Sequence, residues 1–322
     1  MGGQISNTNS HRGYRSGIQG LLQLTYSMPN LPQLEDGKSP GCYTVRMSFT
    51  SNWEQQFLLI SDVHFDAMGC NRDLFRKHLE QAKERNAPVF IFGDLLDLMQ
   101  GKQDPRGSKH QLRPEYAGSD DYLGRVCEDA ANFLEPYAEN IALIGTGNHE
   151  FEYRRRHEID PLTIVAMHLQ NKTGHRPIVA PYTGWIQFKL KYAGGAQRQG
   201  INCKFHHGVG GNSPVTRGAI QSNRSAVMWP GANIIIRGHI HHRFQMSMPV
   251  ELITNQGRLI TDQERVYLQS GCYVSDVQDP DSWSSRRGFG APAMGGFFLR
   301  LYCDKMVGAK GSNVRYQAIP TD

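Results

Sequence analysis

Residues 88–97 read Pro-Val-Phe-Ile-Phe-Gly-Asp-Leu-Leu-Asp, and the rest of the chain is organised around this stretch. Pro88 to Phe92 is a short apolar run with β-branched and aromatic residues, which is typical of a buried strand. Gly93 permits a tight exit from the strand, so that Asp94 projects from its C-terminal end, where open α/β sheets build their sites. A carboxylate at such a position can bridge two metal ions, since each oxygen can face a different cation.

The residues on either side predict alternating strands and helices. Gln56 to Ser61 predicts a buried strand, and apolar residues at helical spacing from Asn71 to Asn86 predict a helix. With the strand at 88–92 these segments form a β-α-β unit with parallel strands. Further helices are predicted at 122–140, 151–157, 161–172 and 216–228, and further strands at 141–144, 185–192, 201–205, 232–236, 249–253, 265–269 and 296–302.

This order of elements predicts an α/β (α+β) fold. Helices separate the strands of the first half, whereas antiparallel strands dominate the second half, so we expect two sheets face to face with helices outside. Residues 1–45 are rich in Gly, Ser, Asn, Gln and Pro and predict a partly irregular N-terminal extension. Residues 46–322 predict a single domain.

Composition limits the class of protein and its location. The chain is 39% hydrophobic and 20% charged, as in soluble globular proteins, and its net charge of +5 permits an anionic substrate without indicating nucleic acid by itself. No apolar run approaches the roughly 20 residues of a membrane span, and the N-terminus lacks the apolar core of a secretory signal.

Residues 1–6 fit the loose N-myristoylation pattern, for which a chance match is the favoured interpretation. Six widely spaced cysteines without a C-x-x-C pair predict free thiols in a reducing compartment, the cytoplasm.

Oxygen and imidazole donors follow five of the predicted strands at the points where those strands end. No thiolate is among them, which suits manganese, iron or zinc in roughly octahedral or five-coordinate sites rather than a structural cysteine-rich zinc site. The candidate metal ligands are Asp62, His64, Asp94, Asn148, His207, His239 and His241. The other histidines considered, His78, His110, His168 and His175, are interpreted as structural or surface residues.

These blocks resemble the calcineurin-like metallophosphoesterase family, whose relatives include purple acid phosphatases, the Mre11/SbcD nucleases and many bacterial and phage proteins. The blocks are D-x-H at 62–64, G-D-x-x-D at 93–97, G-N-H-E at 147–150, the His-Gly pair at 207–208 and G-H-x-H at 238–241. The resemblance covers about residues 56 to 242. It implies a four-layer αββα sandwich of two mixed sheets flanked by helices, and a single metallophosphoesterase catalytic domain with two metal ions.

The resemblance also implies a role for each candidate ligand. Asp94 would bridge the two ions. Asp62, His64 and His241 would hold one ion, and Asn148, His207 and His239 the other. His207 is preferred to His206 because the family's ligand precedes the glycine, and adjacent strand residues face opposite ways. Manganese is the first choice of metal, with iron, zinc or nickel as alternatives.

The expected chemistry is hydrolysis of a phosphate ester. Two cations about 4 Å apart lower the pKa of a shared water, hold it as a bridging hydroxide and neutralise the phosphate oxygens. In-line attack then displaces an alkoxide that needs a proton or a cation. His149 is the candidate catalytic residue for that step, and Asp97 is the candidate partner that orients it, as the family's Asp-His pair does. For Asp97 the competing interpretation is a carboxylate at a helix start.

Departures from the family narrow the substrate class. Protein phosphatases place an arginine directly after the second block, whereas Leu98 and Met99 follow Asp97 here, which counts against a protein phosphatase. Other cations could contact the phosphate instead, although a solvated helix face is the competing interpretation for each. These candidates are Arg154, Arg155, Arg156, Arg217 and Arg224.

Three functions remain open at this point. The leading hypothesis is a phosphodiesterase, with a nuclease as one form of it and nucleic acid or a nucleotide as partner. The second is a phosphatase or phosphodiesterase of a small molecule or cyclic nucleotide, over which the loop 98–121 and the segment 283–289 would close. The third is a non-catalytic metal-binding scaffold, which the presence of every ligand and of His149 disfavours.

Overall fold

The structure is a computed structural model that describes residues 31–99, 112–211, 218–253, 257, 259–275, 291–303 and 313–322, of which 260–262 are described by their backbone alone. Several positions singled out in the sequence lie outside these ranges. They are the myristoylation pattern at 1–6, His110, Arg217, residues 100–111 of the loop 98–121, and the segment 283–289.

The described residues form five α-helices and thirteen strands. The helices are α1 (Arg72–Glu84), α2 (Tyr122–Leu134), α3 (Asn148–His157), α4 (Pro161–Thr173) and α5 (Ala219–Met228). The strands of the first half are β1 (Leu34–Asp36), β2 (Cys42–Phe49), β3 (Trp53–Ile60), β4 (Val89–Ile91), β5 (Ile141–Gly145) and β6 (Ile178–Ala180). Those of the second half are β7 (Thr183–Tyr192), β8 (Arg198–His206), β9 (Ile234–Arg237), β10 (Phe244–Ile253), β11 (Leu259–Gln269), β12 (Phe297–Cys303) and β13 (Arg315–Pro320).

The strands assemble into two mixed sheets, which confirms the predicted fold class. One sheet has six strands in the order β13-β12-β3-β4-β5-β6, and the other has seven in the order β1-β2-β7-β8-β9-β11-β10. The predicted β-α-β unit is present, because β3 and β4 are parallel with Ile60 opposite Ile91 and α1 connects them. Asn71 caps α1 by accepting from the Leu74 backbone N–H at 2.9 Å.

Two apolar layers separate the sheets and helices. Alternation along β3 points Leu58 and Ile60 toward the helices and Phe57 and Leu59 toward the other sheet. The first layer lies between the six-stranded sheet and α1, α2 and α4, and the second lies between the two sheets. On the outer face of the seven-stranded sheet, α5 packs its Ala226 near Ile235 and Tyr267. In the described part of the chain α5 is the only helix in this layer, and the outer face of β2, β7 and β8 carries polar side chains.

Element ends differ from the predicted ones in a few places. α2 ends at Leu134 and continues as a 3-10 helix over Glu135–Asn140, which contains Pro136. α3 begins at Asn148, three residues before its predicted start, and so includes part of the G-N-H-E block. The predicted boundary at residue 45 falls inside β2, which pairs in parallel with β7.

Two further properties follow from the described residues. All six cysteines are free thiols, as predicted. Within the described ranges, every helix falls short of the length and apolarity that a bilayer crossing demands.

Candidate metal centre

The seven predicted ligands lie together where strands of both sheets end. In the six-stranded sheet β3, β4 and β5 are parallel neighbours, and in the seven-stranded sheet β8 and β9 are parallel neighbours, so the carboxyl ends of each set meet at one edge. Asp62 and His64 follow β3, Asp94 follows β4, Asn148 opens α3 after β5, His207 follows β8, and His239 and His241 follow β9.

Asp62, His64 and His241 form the first donor group. The Nε2 atoms of His64 and His241 are 3.1 Å apart, and the Nε2 atom of His241 is 3.4 Å from Asp62 Oδ1. Asp97 accepts from the Nδ1 atom of His64 at 3.0 Å, so that the lone pair of His64 Nε2 points toward the other donors. Three side chains therefore direct ligand atoms at a common point.

Asn148, His207 and His239 form the second group. Asn148 Oδ1 lies 3.0 Å from the Nε2 atom of His207 and 2.7 Å from the Nδ1 atom of His239. The other ring nitrogen of His207 donates to the Phe92 carbonyl at 3.0 Å, which fixes the ring so that Nε2 faces inward.

Asp94 contacts both groups. Its Oδ2 atom lies 3.1 Å from the Nε2 atom of His207 and 3.8 Å from the Nε2 atom of His64. Its Oδ1 atom accepts from the His149 backbone N–H at 2.9 Å, which holds the carboxylate in one orientation. Asp94 thus lies between the two groups and contacts a candidate ligand of each.

The charges of this cluster fit bound cations. Asp62 and Asp94 are 0% and 1% exposed, and within the described residues their only ion-pair partners are imidazoles. Burial alone would raise the pKa of Asp94, but His207, His149 and His64 outweigh it and hold that pKa well below its ordinary value. Burial likewise opposes protonation of His207, yet Asp94 and Asp62 raise its pKa to about 9. Two buried carboxylates that rely on imidazolium charge form a donor set that suits divalent metals.

The backbone at the ligands is strained. Five of the seven candidate ligands have φ in the left-handed region, which non-glycine residues rarely adopt and which costs about 1–3 kcal/mol at each position. These residues are Asp62 (φ 57°), His64 (49°), Asp94 (51°), His239 (76°) and His241 (52°). Such strain is concentrated at functional sites in proteins, and here it is concentrated in the loops that present the donors.

Two glycines allow the loops to approach so closely. A Cβ atom at Gly147 would lie 2.0 Å from Asp94 Oδ1, and a Cβ atom at Gly238 would lie 2.4 Å from Asp62 Oδ2. Each glycine therefore reserves the space that a ligand carboxylate occupies.

His149 and Asp97 are brought to the same place. The Nδ1 atom of His149 donates to the Asp97 carbonyl oxygen at 2.5 Å, and its Nε2 atom lies 3.9 Å from Asp94 Oδ2. The Asp97 carboxylate is 3.5 Å from His149 Nδ1 but only 3.0 Å from His64 Nδ1. Asp97 thus contacts His149 mainly through its backbone carbonyl, while its side chain orients the ligand His64.

Comparison with known proteins identifies the family. The family model described as calcineurin-like phosphoesterase matches residues 56–243, which include all seven candidate ligands.

The chain belongs to the calcineurin-like phosphoesterase family.

The family is one of metal-dependent phosphoesterases, in agreement with the donor groups. No protein of curated function matches the sequence significantly. Among solved structures, Vps29 of Cryptosporidium parvum is similar at 14% identity over 84% of this chain and 100% of its own, with a TM-score of 0.31. GAP50, the anchor in the inner membrane complex of Plasmodium, is similar at 10% identity over 82% and 84% of the two chains (TM-score 0.40). A predicted phosphoesterase of Streptococcus pneumoniae TIGR4 is similar at 12% identity over 82% and 99% (TM-score 0.27).

Two carboxylates of this phosphoesterase were not predicted to act at the site. Glu150 is 1% exposed and accepts from the backbone N–H groups of Gly147 (2.9 Å), Leu96 (2.9 Å) and Asp94 (3.2 Å). It thereby ties the loop after β4 to the start of α3. Burial and then the nearby Asp94 raise the pKa of Glu150 to about 8, against the effect of these amides. Its position three residues after Gly147 matches the glutamate of a capping box, which is the sequence signal for this role.

Asp66 is the second carboxylate. It accepts from the backbone N–H groups of Asp97 (2.6 Å) and Leu98 (3.0 Å) and from the Tyr122 hydroxyl (2.5 Å). Burial, and then Asp97, raise its pKa. Asp66 therefore fixes the backbone that presents the Asp97 carbonyl to His149. No local motif in the sequence indicates this function, because its partners come from distant segments.

The histidines outside the ligand set occupy other environments. His206 turns to the outer face of the seven-stranded sheet, where its ring lies 5.7 Å from that of Trp229, while His207 faces the metal groups. His78 is buried and contacts the Tyr273 hydroxyl at 2.8 Å and the Asp322 carbonyl at 2.9 Å. His175 contacts the Ile141 carbonyl at 3.0 Å.

The candidate substrate-binding arginines that the structure describes lie on helix surfaces. Arg155 pairs with Glu152 at 2.6 Å, and Arg154 lies 3.9 Å from Asp160. Arg224 is exposed on α5, and Arg217 lies outside the described residues. The contacts of Arg154 and Arg155 are those of a solvated helix face, and a role in substrate binding stays a prediction.

Proposed function

We propose that this phosphoesterase is a hydrolase of phosphodiesters that works with two divalent cations, manganese first. The observation that supports the proposal is the convergence of two groups of three donors on the shared carboxylate Asp94, with His149 beside it. Asp62, His64 and His241 would hold one ion, and Asn148, His207 and His239 the other. A bound pair of divalent ions supplies positive charge for the phosphate oxygens and acidifies water.

The protein's own residues would position the substrate and move a proton. The Asp97 carbonyl can only accept a hydrogen bond, so His149 carries a proton on Nδ1 and exchanges protons through Nε2. The Nε2 atom faces Asp94 at 3.9 Å and therefore lies at the edge of the donor cluster. When His149 is protonated, its Nε2–H can be donated to the leaving alkoxide, as a general acid does.

The preference for a diester rests on the missing positive charge directly after the second block, G-D-x-x-D at 93–97. Leu98 replaces the arginine of protein phosphatases and is buried, and its backbone N–H donates to Asp66. A phosphomonoester brings two negative charges to the site and a diester brings one, so a site with one fewer cation favours the diester.

Free thiols at all six cysteines support a reducing, cytoplasmic setting.

The decisive experiment compares the turnover of bis-p-nitrophenyl phosphate and p-nitrophenyl phosphate with added Mn²⁺. We expect Asp94→Asn to abolish turnover of the bis-ester, because it removes the shared negative ligand, and wild type to prefer the bis-ester. Asp73→Asn, at an exposed position on α1, is the matched control and should keep full activity. Equal turnover by wild type and Asp94→Asn would overturn the proposal.

A panel of substrates then separates the remaining alternatives. Cleavage of linear DNA would indicate a nuclease, whereas cleavage of cyclic nucleotides alone would indicate the small-molecule enzyme. Absence of any turnover by a protein that binds Mn²⁺ would support the metal-binding scaffold instead.

A further inference from the structure

Four cationic side chains form a basic face on the outside of the seven-stranded sheet. This basic face consists of Arg46 on β2, Lys189 and Lys191 on β7, and Arg198 on β8. Cross-strand register places Arg46 opposite Lys189 and Lys191 opposite Arg198. Neighbouring strands lie about 4.8 Å apart and alternate residues share a face, so the four charges occupy one compact area.

Among the described residues, few acidic groups compensate the charges on this face. Arg46 pairs with Glu35 at 3.0 Å, whereas Lys189, Lys191 and Arg198 make no ion pair with any residue that the structure describes. Like charges directly opposite each other weaken a strand pair. A bound anion would offset this repulsion, so the arrangement favours a negatively charged partner.

The face also has room for a bound ligand. A groove of about 540 Å³ runs between these side chains, and Ser48 and Gln187 add polar groups to its lining. Gly200 lies opposite Lys189, and a Cβ atom there would meet no atom within 4 Å, so the middle of the groove is open.

The face continues toward the metal centre along β7. Trp185 lies on the same side of the strand as Lys189, and Lys204 Nζ lies 5.2 Å from the ring centroid of Trp185 and 5.1 Å from that of Trp229. Thr183, at the start of β7, pairs with His206, the neighbour of the ligand His207. From Thr183 to Lys191 the strand rises about 27 Å, at roughly 3.4 Å per residue. A chain of phosphates bound on the face could therefore extend to the donor groups.

Two other occupants fit the face less well. Residues 1–30 contain no aspartate or glutamate but two arginines, so this segment has the wrong charge to cover it. An anionic membrane would require an apolar anchor, yet none of the exposed large hydrophobic residues lies on β2, β7 or β8 within the described ranges.

We propose that the basic face binds a nucleic-acid strand through its phosphates. One part of this inference rests on the proposed function, namely that the bound nucleic acid is also the substrate of the diesterase. The binding itself depends on the face and not on the metal centre.

The test is binding of a fluorescent single-stranded oligonucleotide, measured by anisotropy in EDTA over a range of salt concentrations. The variant Lys189→Gln/Lys191→Gln/Arg198→Gln should bind at least about tenfold more weakly at low salt, and its log–log salt slope should fall by about 2, since each lost phosphate contact removes about 0.7. The matched control Lys77→Gln/Lys83→Gln/Lys172→Gln removes the same charge from the helices on the other sheet and should bind like wild type.

Equal weakening by both triple variants would overturn the proposal, because it would show attraction by net charge alone. No binding by wild type at low salt would also overturn it, as would loss of binding to phosphatidylserine vesicles in the basic-face variant with oligonucleotide binding unchanged. Turnover of bis-p-nitrophenyl phosphate should be unaffected by the basic-face variant. Oligonucleotide binding without turnover of any ester would overturn the proposed function but not the proposed binding face. Turnover of an ester without oligonucleotide binding would overturn the binding face but not the proposed function.

Discussion

The individual oxygen atoms of Asp94 and Asp97 contact different groups at this site. In Asp94, Oδ2 faces His207 and His64, while Oδ1 accepts from the backbone of His149. In Asp97, the carboxylate orients His64 and the carbonyl oxygen fixes the proton of His149. The same two carboxyl-bearing residues therefore set both the ligand geometry and the tautomer of the candidate acid.

We expect His149→Asn to separate proton transfer from metal binding. The ring contributes a proton through Nε2, so its loss should lower kcat about 10²- to 10⁴-fold. The seven ligands remain, so the rise in Tm caused by Mn²⁺ should persist. His168→Asn, on a half-buried position of α4, is the control and should retain activity. A kcat of His149→Asn within a factor of two of wild type would exclude His149 as the acid.

His78 should make the fold sensitive to acid. Burial, above all, lowers the pKa of His78 below its ordinary 6.5. The unfolded chain then binds a proton near pH 6.5 that the folded protein does not bind, so the free energy of unfolding should fall as the pH drops below about 6.5 toward the folded pKa. His78→Gln can keep both hydrogen bonds without this proton, and urea unfolding at several pH values should show a smaller loss in acid. The same acid slope in both proteins would contradict this account.

At the scale of elements, the site is made by the segments that follow five of the strands. The loop after β4 and the start of α3 are held together by Glu150, which accepts from the backbone of both. The loop after β9 is held to the loop after β3 because the His239 backbone N–H donates to Asp62 at 2.9 Å. Asp62, a candidate ligand, thus also serves as a hydrogen-bond acceptor between two loops.

Gly147→Ala should displace the loop that carries Asp94. The added Cβ would lie 2.0 Å from Asp94 Oδ1 and 2.3 Å from the Asp94 backbone nitrogen, so the carboxylate or α3 must move. We expect loss of Mn²⁺ binding by calorimetry and at least about a hundredfold loss of activity, as small displacements of catalytic groups cause. Gly231→Ala is the matched control, since a Cβ there meets nothing within 4 Å. Normal Mn²⁺ affinity in Gly147→Ala would show that the close approach is unimportant.

At the scale of the whole molecule, the candidate metal centre contains residues from both sheets. Asp62, His64, Asp94 and Asn148 come from the six-stranded sheet, whereas His207, His239 and His241 come from the seven-stranded sheet. Ions held between them would link the two halves of the sandwich, because binding to the folded state alone stabilises it.

Metal removal should therefore lower thermal stability. A ligand present at a hundred times its Kd stabilises the folded state by about 2.7 kcal/mol for each site. We expect Mn²⁺ to raise Tm and EDTA to lower it in scanning calorimetry, and Asp94→Asn to abolish most of the shift. Asp73→Asn should shift like wild type. A Tm that does not depend on Mn²⁺ in wild type would argue against a metal centre that spans the sheets.

Local patterns predicted the elements well and their assembly only in part. The apolar run at Pro88 to Phe92 and the helical spacing from Asn71 to Asn86 were sufficient for β4 and α1, because strand and helix periods are local properties. The start of α3 was missed by three residues, since Asn148 and His149 lie in the first turn without an apolar period. Spacing could not predict the contact between Asp97 and His64 or the support by Asp66. It also could not predict that, among the described helices, none packs on the outer face of β2, β7 and β8.

The order of residues alone indicated the candidate metal ligands, because polar side chains placed directly after apolar strands must lie at strand ends. Their grouping was implied by the family resemblance and not by spacing, since Asp62 and His239 are 177 positions apart and meet only because β3 and β9 belong to facing sheets. Strand order and side-chain direction are set by packing across the whole sandwich. The tertiary structure, and not the local sequence pattern, therefore determines which three candidate ligands meet in each donor group. It also determines which charged side chains lie on the outer face of the seven-stranded sheet.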